Sequence, residues 1–178
     1  MKGTQFSVLE PAFAEQYTIY SFDLFFHGQT QLLDTSLDVI RKGLTAAEFG
    51  NYMAEFIEEI GFEKVSLLSY SMGALMALSV IEHIPHKVRN AFFIAPDGIR
   101  PNKLLQFGSR NLIMNRIFYK LVYSPATVNW ILNSMLKYRY IDEPLHRILQ
   151  GEFGTEATRL TCYQAITYHG SICLIEKD

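Results

Sequence analysis

The sequence predicts an α/β protein in which parallel strands alternate with helices. Two short apolar runs of strand type, "KVSLLSY" and "KVRNAFFIAP", flank "GALMALSVIEHI", which is mostly apolar and long enough for a helix. A third run, Tyr17–Phe22 ("YTIYSF"), is rich in β-branched and aromatic residues and predicts another buried strand. Strands that alternate with helices in this way are typical of a parallel sheet flanked by helices.

Bulk composition indicates a folded, cytoplasmic chain. The 178 residues are 49% hydrophobic and 19% charged, so they can bury a core. A net charge of -2 argues against a general nucleic-acid binder. The N-terminus has no apolar run of the signal-peptide kind, and no stretch approaches the ~20 apolar residues of a membrane span. Cys162 and Cys173 are expected to be reduced thiols, although a single disulfide is also compatible with the sequence.

The segment before the second strand predicts an amphipathic helix. Thr45 and Glu48 have the spacing of a capping box, and apolar residues then recur at helical intervals up to Ile60. Gly61 is expected to end this helix.

After Arg100 the pattern becomes helical and basic. Residues 100–150 contain eight Lys and Arg against two Asp and Glu, whereas residues 1–99 contain six against twelve. Ser124 with Pro125, Asp142 and Thr155 are the predicted starts of three helices. We therefore expect an α/β core over residues 1–99, a helical cap or lid over 100–170 and a tail over 171–178.

Ser71 lies where the strand "KVSLLSY" turns abruptly into the following helix. Such a turn strains the serine backbone, exposes its hydroxyl and places it beside the N–H groups of a helix N-terminus. The residues two before and two after must be small because strand and helix pass closely, and they are Ser69 and Gly73. Ser71 is therefore a candidate nucleophile, with the Met72 backbone N–H as one oxyanion donor. An ordinary tight turn with a capping serine is the alternative.

These residues resemble the α/β-hydrolase superfamily. "SYSMGA" is similar to the nucleophile elbow G-x-S-x-G, with serine in place of the first glycine. "FDLFFHGQT" resembles the family segment D-x-x-G-x-G-x-S, with Asp23, Gly28 and Thr30 at matching positions and Phe26 in place of the first glycine. A second interpretation makes "FFHG" the His-Gly loop that donates an oxyanion N–H. The resemblance implies an α/β-hydrolase sheet with a helical cap insert.

The resemblance also implies an acid and a histidine, in that order after the serine. Asp97 is the plausible in-chain acid, although a turn-forming role before Gly98 also fits. We expect His169 to be a terminal surface residue, His146 to be solvated, and His83 and His86 to lie far from Ser71. The base is therefore expected from sequence outside this chain, which resembles a hydrolase truncated at both ends and would then be nearly inert alone.

The resemblance implies hydrolysis of a small-molecule ester or similar acyl bond, with no cofactor. Two alternatives stay open: a catalytically inactive hydrolase-like fragment or binding module, and a transferase or C–C lytic enzyme on the same fold. A reading frame that continued past Asp178 into an acid and then a histidine would favour the enzyme. The expected partner is an apolar or acyl-bearing small molecule and not nucleic acid. The basic cap also suggests weak contact with a membrane surface.

Overall fold

A computed structural model describes residues 3–96 and 111–172 of the chain. Two strands are present among them, β1 (Val65–Tyr70) and β2 (Val88–Ile94). Short 3-10 helices cover Gly3–Leu9 and Pro85–Lys87. The α-helices of the described residues are α1 (Glu10–Phe13), α2 (Leu37–Lys42), α3 (Ala46–Glu59), α4 (Gly73–His83), α5 (Leu112–Val122), α6 (Pro125–Lys137), α7 (Glu143–Glu152) and α8 (Glu156–His169).

The chain divides into two compact units. One is drawn from Met1–Val39 and Tyr119–Ala165, and the other from Ile40–Phe118 and Ile166–Asp178. The second unit contains the sheet and its helices α3 and α4. The predicted division into a core over residues 1–99, a cap over 100–170 and a tail over 171–178 stays a prediction.

The sheet confirms the predicted parallel strand–helix–strand unit. β1 and β2 are parallel neighbours, with Leu68 paired to Phe92 and Tyr70 to Ile94, and α4 is the connection between them. One face of this sheet packs on α3 and α4 around a buried cluster of Ile57, Val80 and Ile84. Since strand residues alternate between faces, this packing fixes which side chains of β1 and β2 enter the core.

The prediction of a strand at Tyr17–Phe22 is wrong. Residues 17–24 are irregular, and Tyr17, Ile19, Tyr20 and Phe22 are each exposed. A strand exists only when its backbone pairs with a neighbour, and in the described part of the chain the sheet consists of β1 and β2 alone. β-branched and aromatic composition gives the propensity for a strand without supplying that neighbour.

Helix α3 begins as the sequence predicts. The Thr45 side chain accepts a hydrogen bond from the Glu48 N–H, and the Glu48 carboxylate accepts one from the Thr45 N–H, at 3.1 and 2.9 Å. The bond from the Thr45 N–H, followed by one that the Thr45 hydroxyl donates to the same carboxylate at 2.8 Å, holds the pKa of Glu48 below its ordinary value. The helix ends before Gly61, which has a φ of +73°. Both ends of α3 are therefore set by local sequence.

Gly50 marks the closest approach of α3 to α4, and a side chain there would collide with its neighbour. A Cβ atom at Gly50 would lie 2.5 Å from the Cβ of His83. We expect Gly50→Ala to lower the free energy of unfolding by about 1–3 kcal/mol, because the helices must move apart. Urea denaturation measures this change. Gly151→Ala in α7 is the matched control, since a Cβ there meets no atom within 4 Å; equal effects of both substitutions would contradict the close approach.

The helices predicted after residue 111 are confirmed. α6 starts with Pro125 after Ser124, and the Asp142 side chain accepts a hydrogen bond from the Leu145 N–H at 2.9 Å at the start of α7. Thr155 accepts one from the Thr158 N–H at 3.1 Å before α8. None of the helices in the described ranges 3–96 and 111–172 is long and apolar enough to cross a membrane.

Two histidines occupy positions other than those predicted. His169, expected at the surface, is only 1% exposed at the end of α8, in edge-to-face contact with Tyr168. His146, expected to be solvated, is buried and its Nε2 lies 2.9 Å from Asn133 Oδ1. The positions of these histidines in the sequence suggested surface sites. Each instead lies on the buried side of its helix, His146 on α7 and His169 on α8.

Candidate active site at the strand–helix elbow

Ser71 has the strained backbone that the sequence predicts for it. Its φ is +51°, in the left-handed region that residues other than glycine seldom adopt. The Ser71 N–H donates to the Ile94 carbonyl at 3.0 Å, and the Ser71 carbonyl accepts from the Ala74 N–H at 2.9 Å. Ser71 is thus tied to the end of β2 on one side and to the first turn of α4 on the other. It is partly exposed.

The role of Ile94 was not foreseen from the sequence. Its carbonyl anchors the Ser71 N–H, and the next residue, Ala95, also has a positive φ, at +45°. A backbone acceptor carries no signature in residue type, and alanine does not signal a left-handed conformation. Neither feature could therefore be read from the sequence.

Ser69 and Gly73, two residues before and two residues after Ser71, lie close to each other. Ser69 is buried on β1, and its hydroxyl is 3.4 Å from the Phe92 carbonyl. A Cβ atom at Gly73 would lie 3.7 Å from the Ser69 Cβ, an ordinary van der Waals distance. The space between strand and helix at Gly73 therefore accepts one added methyl group.

This spacing predicts unequal effects of two substitutions. Gly73→Ala should change the free energy of unfolding by less than about 0.5 kcal/mol, since its methyl group fits. Ser69→Leu should lower it by about 1–3 kcal/mol, because a branched side chain at this buried position overpacks the gap. Thermal and urea denaturation of the two variants would compare them. A stable Ser69→Leu protein would mean that the elbow is looser than these distances indicate.

The first turn of α4 supplies backbone donors beside Ser71. Met72 is the N-cap of this helix, and the N–H groups of Ala74 and Leu75 are already used by the Ser71 and Met72 carbonyls. The Met72 N–H belongs to the first-turn donors that have no intrahelical partner. The positive end of the helix dipole also lies at this end of α4, and both features favour an anion there.

The segment from Asp23 to Thr30 forms a tight reversal with two left-handed residues. Phe26 has a φ of +66° and Gly28 of +56°, at the two positions where the resembling family segment carries glycine. A Cβ atom at Gly28 would lie 1.7 Å from Asp23 Oδ2, so a side chain there would displace the Asp23 carboxylate as well as strain the backbone. The Phe26 N–H donates to the Thr30 carbonyl at 3.0 Å. Phenylalanine at position 26 thus occupies a backbone conformation suited to glycine.

The remaining candidate groups do not assemble around Ser71 in the described residues. Asp97 lies outside them, so its role stays a prediction. His83 ends α4, about 18 Å along the helix axis from Ser71 at 1.5 Å per residue, and its Nε2 is 2.8 Å from Asn51 Oδ1. His86 lies further along the chain and is exposed.

Cys162 is a weaker candidate nucleophile than Ser71. Burial, followed by the nearby charge of Glu152, raises the pKa of its thiol, and the reactive form of cysteine is the thiolate. Among residues 3–96 and 111–172, no three His, Cys, Asp or Glu side chains group together as a metal site would require.

Comparisons with known proteins identify the fold family of the chain. A family model described as the alpha/beta hydrolase fold matches residues 3–120. A curated relative, the dihydrolipoyllysine-residue acetyltransferase component of the acetoin cleaving system of Cupriavidus necator, is 26% identical over 151 residues, covering 79% of this chain and 38% of the relative.

A solved structure has a similar fold. MGS-M2, an alpha/beta hydrolase enzyme from a Medee basin deep-sea metagenome library, matches with a TM-score of 0.56 and 15% identity, over 96% of this chain and 60% of that one. The chain thus spans less than two thirds of the length of either protein. The strand–elbow–helix geometry around Ser71 lies inside the region matched by the family model, and the chain belongs to the alpha/beta hydrolase fold family.

Proposed function

We propose that this protein is a serine hydrolase that cleaves a small-molecule ester or a similar acyl bond, with Ser71 as the nucleophile. The observation that carries the proposal is the φ of +51° at Ser71, held between the end of β2 and the first turn of α4. Strained residues of this kind persist where the surrounding structure imposes them, and they concentrate at functional sites. Membership of the hydrolase family supports the same assignment.

In the proposed reaction the Ser71 hydroxyl attacks the acyl carbon and transfers its proton to a histidine that is still to be assigned. The Met72 N–H donates to the oxyanion that forms. Collapse of this intermediate breaks the bond to the alcohol oxygen, which takes the proton back from the histidine, and leaves an acyl group on Ser71. Water then releases this group as the carboxylic acid and restores the Ser71 hydroxyl. Asp97 is the proposed acid that would orient the histidine.

The proposed substrate carries an apolar acyl group. The support is the helical segment predicted after residue 100, whose sequence combines apolar and basic residues. Apolar pockets with a few placed polar groups are typical of small-molecule sites.

Acyl transfer to an acceptor other than water is the second candidate. The curated relative is described as an acetyltransferase component, and this description is what favours the candidate. Both reactions pass through the same acyl group on Ser71. They differ in whether an added alcohol or thiol competes with water for that group.

The test is hydrolysis of p-nitrophenyl esters with short, medium and long acyl chains, using the protein at its natural length. We expect release of p-nitrophenol above the buffer rate, with kcat/KM rising with acyl length. An added alcohol or thiol that captures the acyl group in preference to water would assign acyl transfer instead. A folded protein that releases none from any ester would contradict both activities and support a non-catalytic binding module.

A further inference from the structure

Helix α5 (Leu112–Val122) has one face buried in the protein and another exposed to solvent. A polar residue lies on the buried face, and large apolar residues lie on the exposed face. Its inner face buries Asn115 and Val122. The Asn115 carboxamide is held in the second unit of the fold, where its Oδ1 accepts from Arg41 at 2.9 Å and its Nδ2 donates to Thr167 at 3.2 Å. These hydrogen bonds hold the first part of α5, up to Phe118, within the second unit.

The outer face of α5 is apolar where a solvent-facing helix is normally polar. Leu112, Ile113 and Ile117 are 64%, 69% and 48% exposed. Isolated exposed apolar residues are common, but three on one helix face form a patch, and such patches mark sites of interaction.

Two cations share this face. Arg116 and Lys120 are exposed and lie within the same arc of about 140° as the three apolar residues, at 100° per residue. In the described ranges neither cation has an ion-pair partner, and α5 contains no acidic residue. The outer face of α5 is therefore positive as well as apolar.

We propose that the outer face of α5, defined by Leu112, Ile113, Arg116, Ile117 and Lys120, docks on an anionic lipid bilayer. Helices that lie in a bilayer interface bury an apolar face among the acyl chains, and their cations attract anionic headgroups. Arg and Lys can lie along the apolar surface while their charged ends reach the headgroups.

The positive charge of this face favours an anionic bilayer over a second copy of the chain as its binding partner. Two copies that met through this face would place Arg116 and Lys120 of one copy near those of the other, and like charges repel. An anionic bilayer neutralises the same cations while it covers the apolar residues. The docking surface does not involve Ser71, so failure of the hydrolase proposal would leave this one unaffected, and the reverse also holds.

The test is cosedimentation of the protein with vesicles of phosphatidylcholine, with and without phosphatidylserine. We expect binding to the anionic vesicles only, weakened by salt. Arg116→Gln with Lys120→Gln should weaken the partition about 30-fold, since each cation near the surface contributes about fivefold. Ile113→Ser with Ile117→Ser should weaken it by more than tenfold.

Lys137→Gln with Arg147→Gln is the matched control, because it removes two exposed cations from α6 and α7. This control should bind vesicles as the unchanged protein does. Circular dichroism checks that every variant is folded, as expected for changes at exposed positions. Absence of binding to anionic vesicles, or an equal loss in the control, would overturn the proposal. Self-association that Ile113→Ser with Ile117→Ser abolishes, without vesicle binding, would assign the face to a second copy instead.

Discussion

Replacement of Ser71 by alanine is expected to lower kcat/KM for ester hydrolysis by about 10⁴-fold or more, because the members of a catalytic triad act as a unit. In the proposed reaction the oxygen of the Ser71 hydroxyl forms the bond to the acyl carbon, and alanine has no group that can replace it. Ser69 is buried on β1. Steady-state kinetics on the best p-nitrophenyl ester would measure the loss.

Ser66→Ala is the matched control for this substitution. Ser66 lies on the same strand and is exposed, and its removal should leave kcat/KM unchanged. A loss of activity confined to the control, or activity retained in Ser71→Ala, would contradict the role of Ser71 as the nucleophile.

The Ser71→Gly variant distinguishes the loss of the Ser71 hydroxyl from the relief of backbone strain at this position. Like the alanine variant it lacks the hydroxyl and should be inactive. Glycine adopts a φ of +51° without the steric cost of a side chain, so we expect this variant to be about 1 kcal/mol more stable than Ser71→Ala. Urea denaturation would compare the two, and equal stability would mean that the turn relaxes when the serine is removed.

Replacement of Arg159 by methionine should lower the free energy of unfolding by about 3 kcal/mol, the largest stability effect expected for a polar residue here. Arg159 is buried on α8, where its Nε donates to the Val122 carbonyl at 2.6 Å and its Nη1 to the Phe153 carbonyl at 2.8 Å. Val122 is the last residue of α5 and Phe153 follows α7. One guanidinium thus satisfies carbonyls at the carboxyl ends of two helices, where a positive charge is also favoured.

Two further variants test this reading of Arg159. Arg159→Lys should recover less than half of the loss, because an ammonium group cannot reproduce the two-pronged geometry of the guanidinium. Arg147→Met, at an exposed position on α7, should change stability by less than about 0.5 kcal/mol. Full rescue by lysine would show that charge alone matters at this site.

The elements that local sequence determines were predicted well. The capping box of Thr45 and Glu48, the strands β1 and β2 and the elbow at Ser71 each depend on residues within a few positions of one another. A strand such as Tyr17–Phe22 depends instead on a distant partner for its backbone hydrogen bonds, and composition does not identify that partner. The prediction failed there for this reason.

Burial within the helical segments was harder to predict than the helices themselves. His146 and His169 are polar residues near helix ends, and nothing in their neighbours indicated that each would be buried. Arg159 was likewise not singled out, because its two carbonyl partners lie six and 37 positions away in the chain. Contacts of this kind depend on how helices pack, which periodicity does not specify.

The most direct test of Ser71 as a nucleophile is covalent labelling with a fluorophosphonate, followed by peptide mass spectrometry of the protein at its natural length. The fluorophosphonate reacts with a serine that has an activating base and an oxyanion donor. We predict one adduct, on the peptide that contains Ser71, and none in Ser71→Ala. An adduct on another residue, or no adduct on a protein that is folded by circular dichroism, would contradict the account.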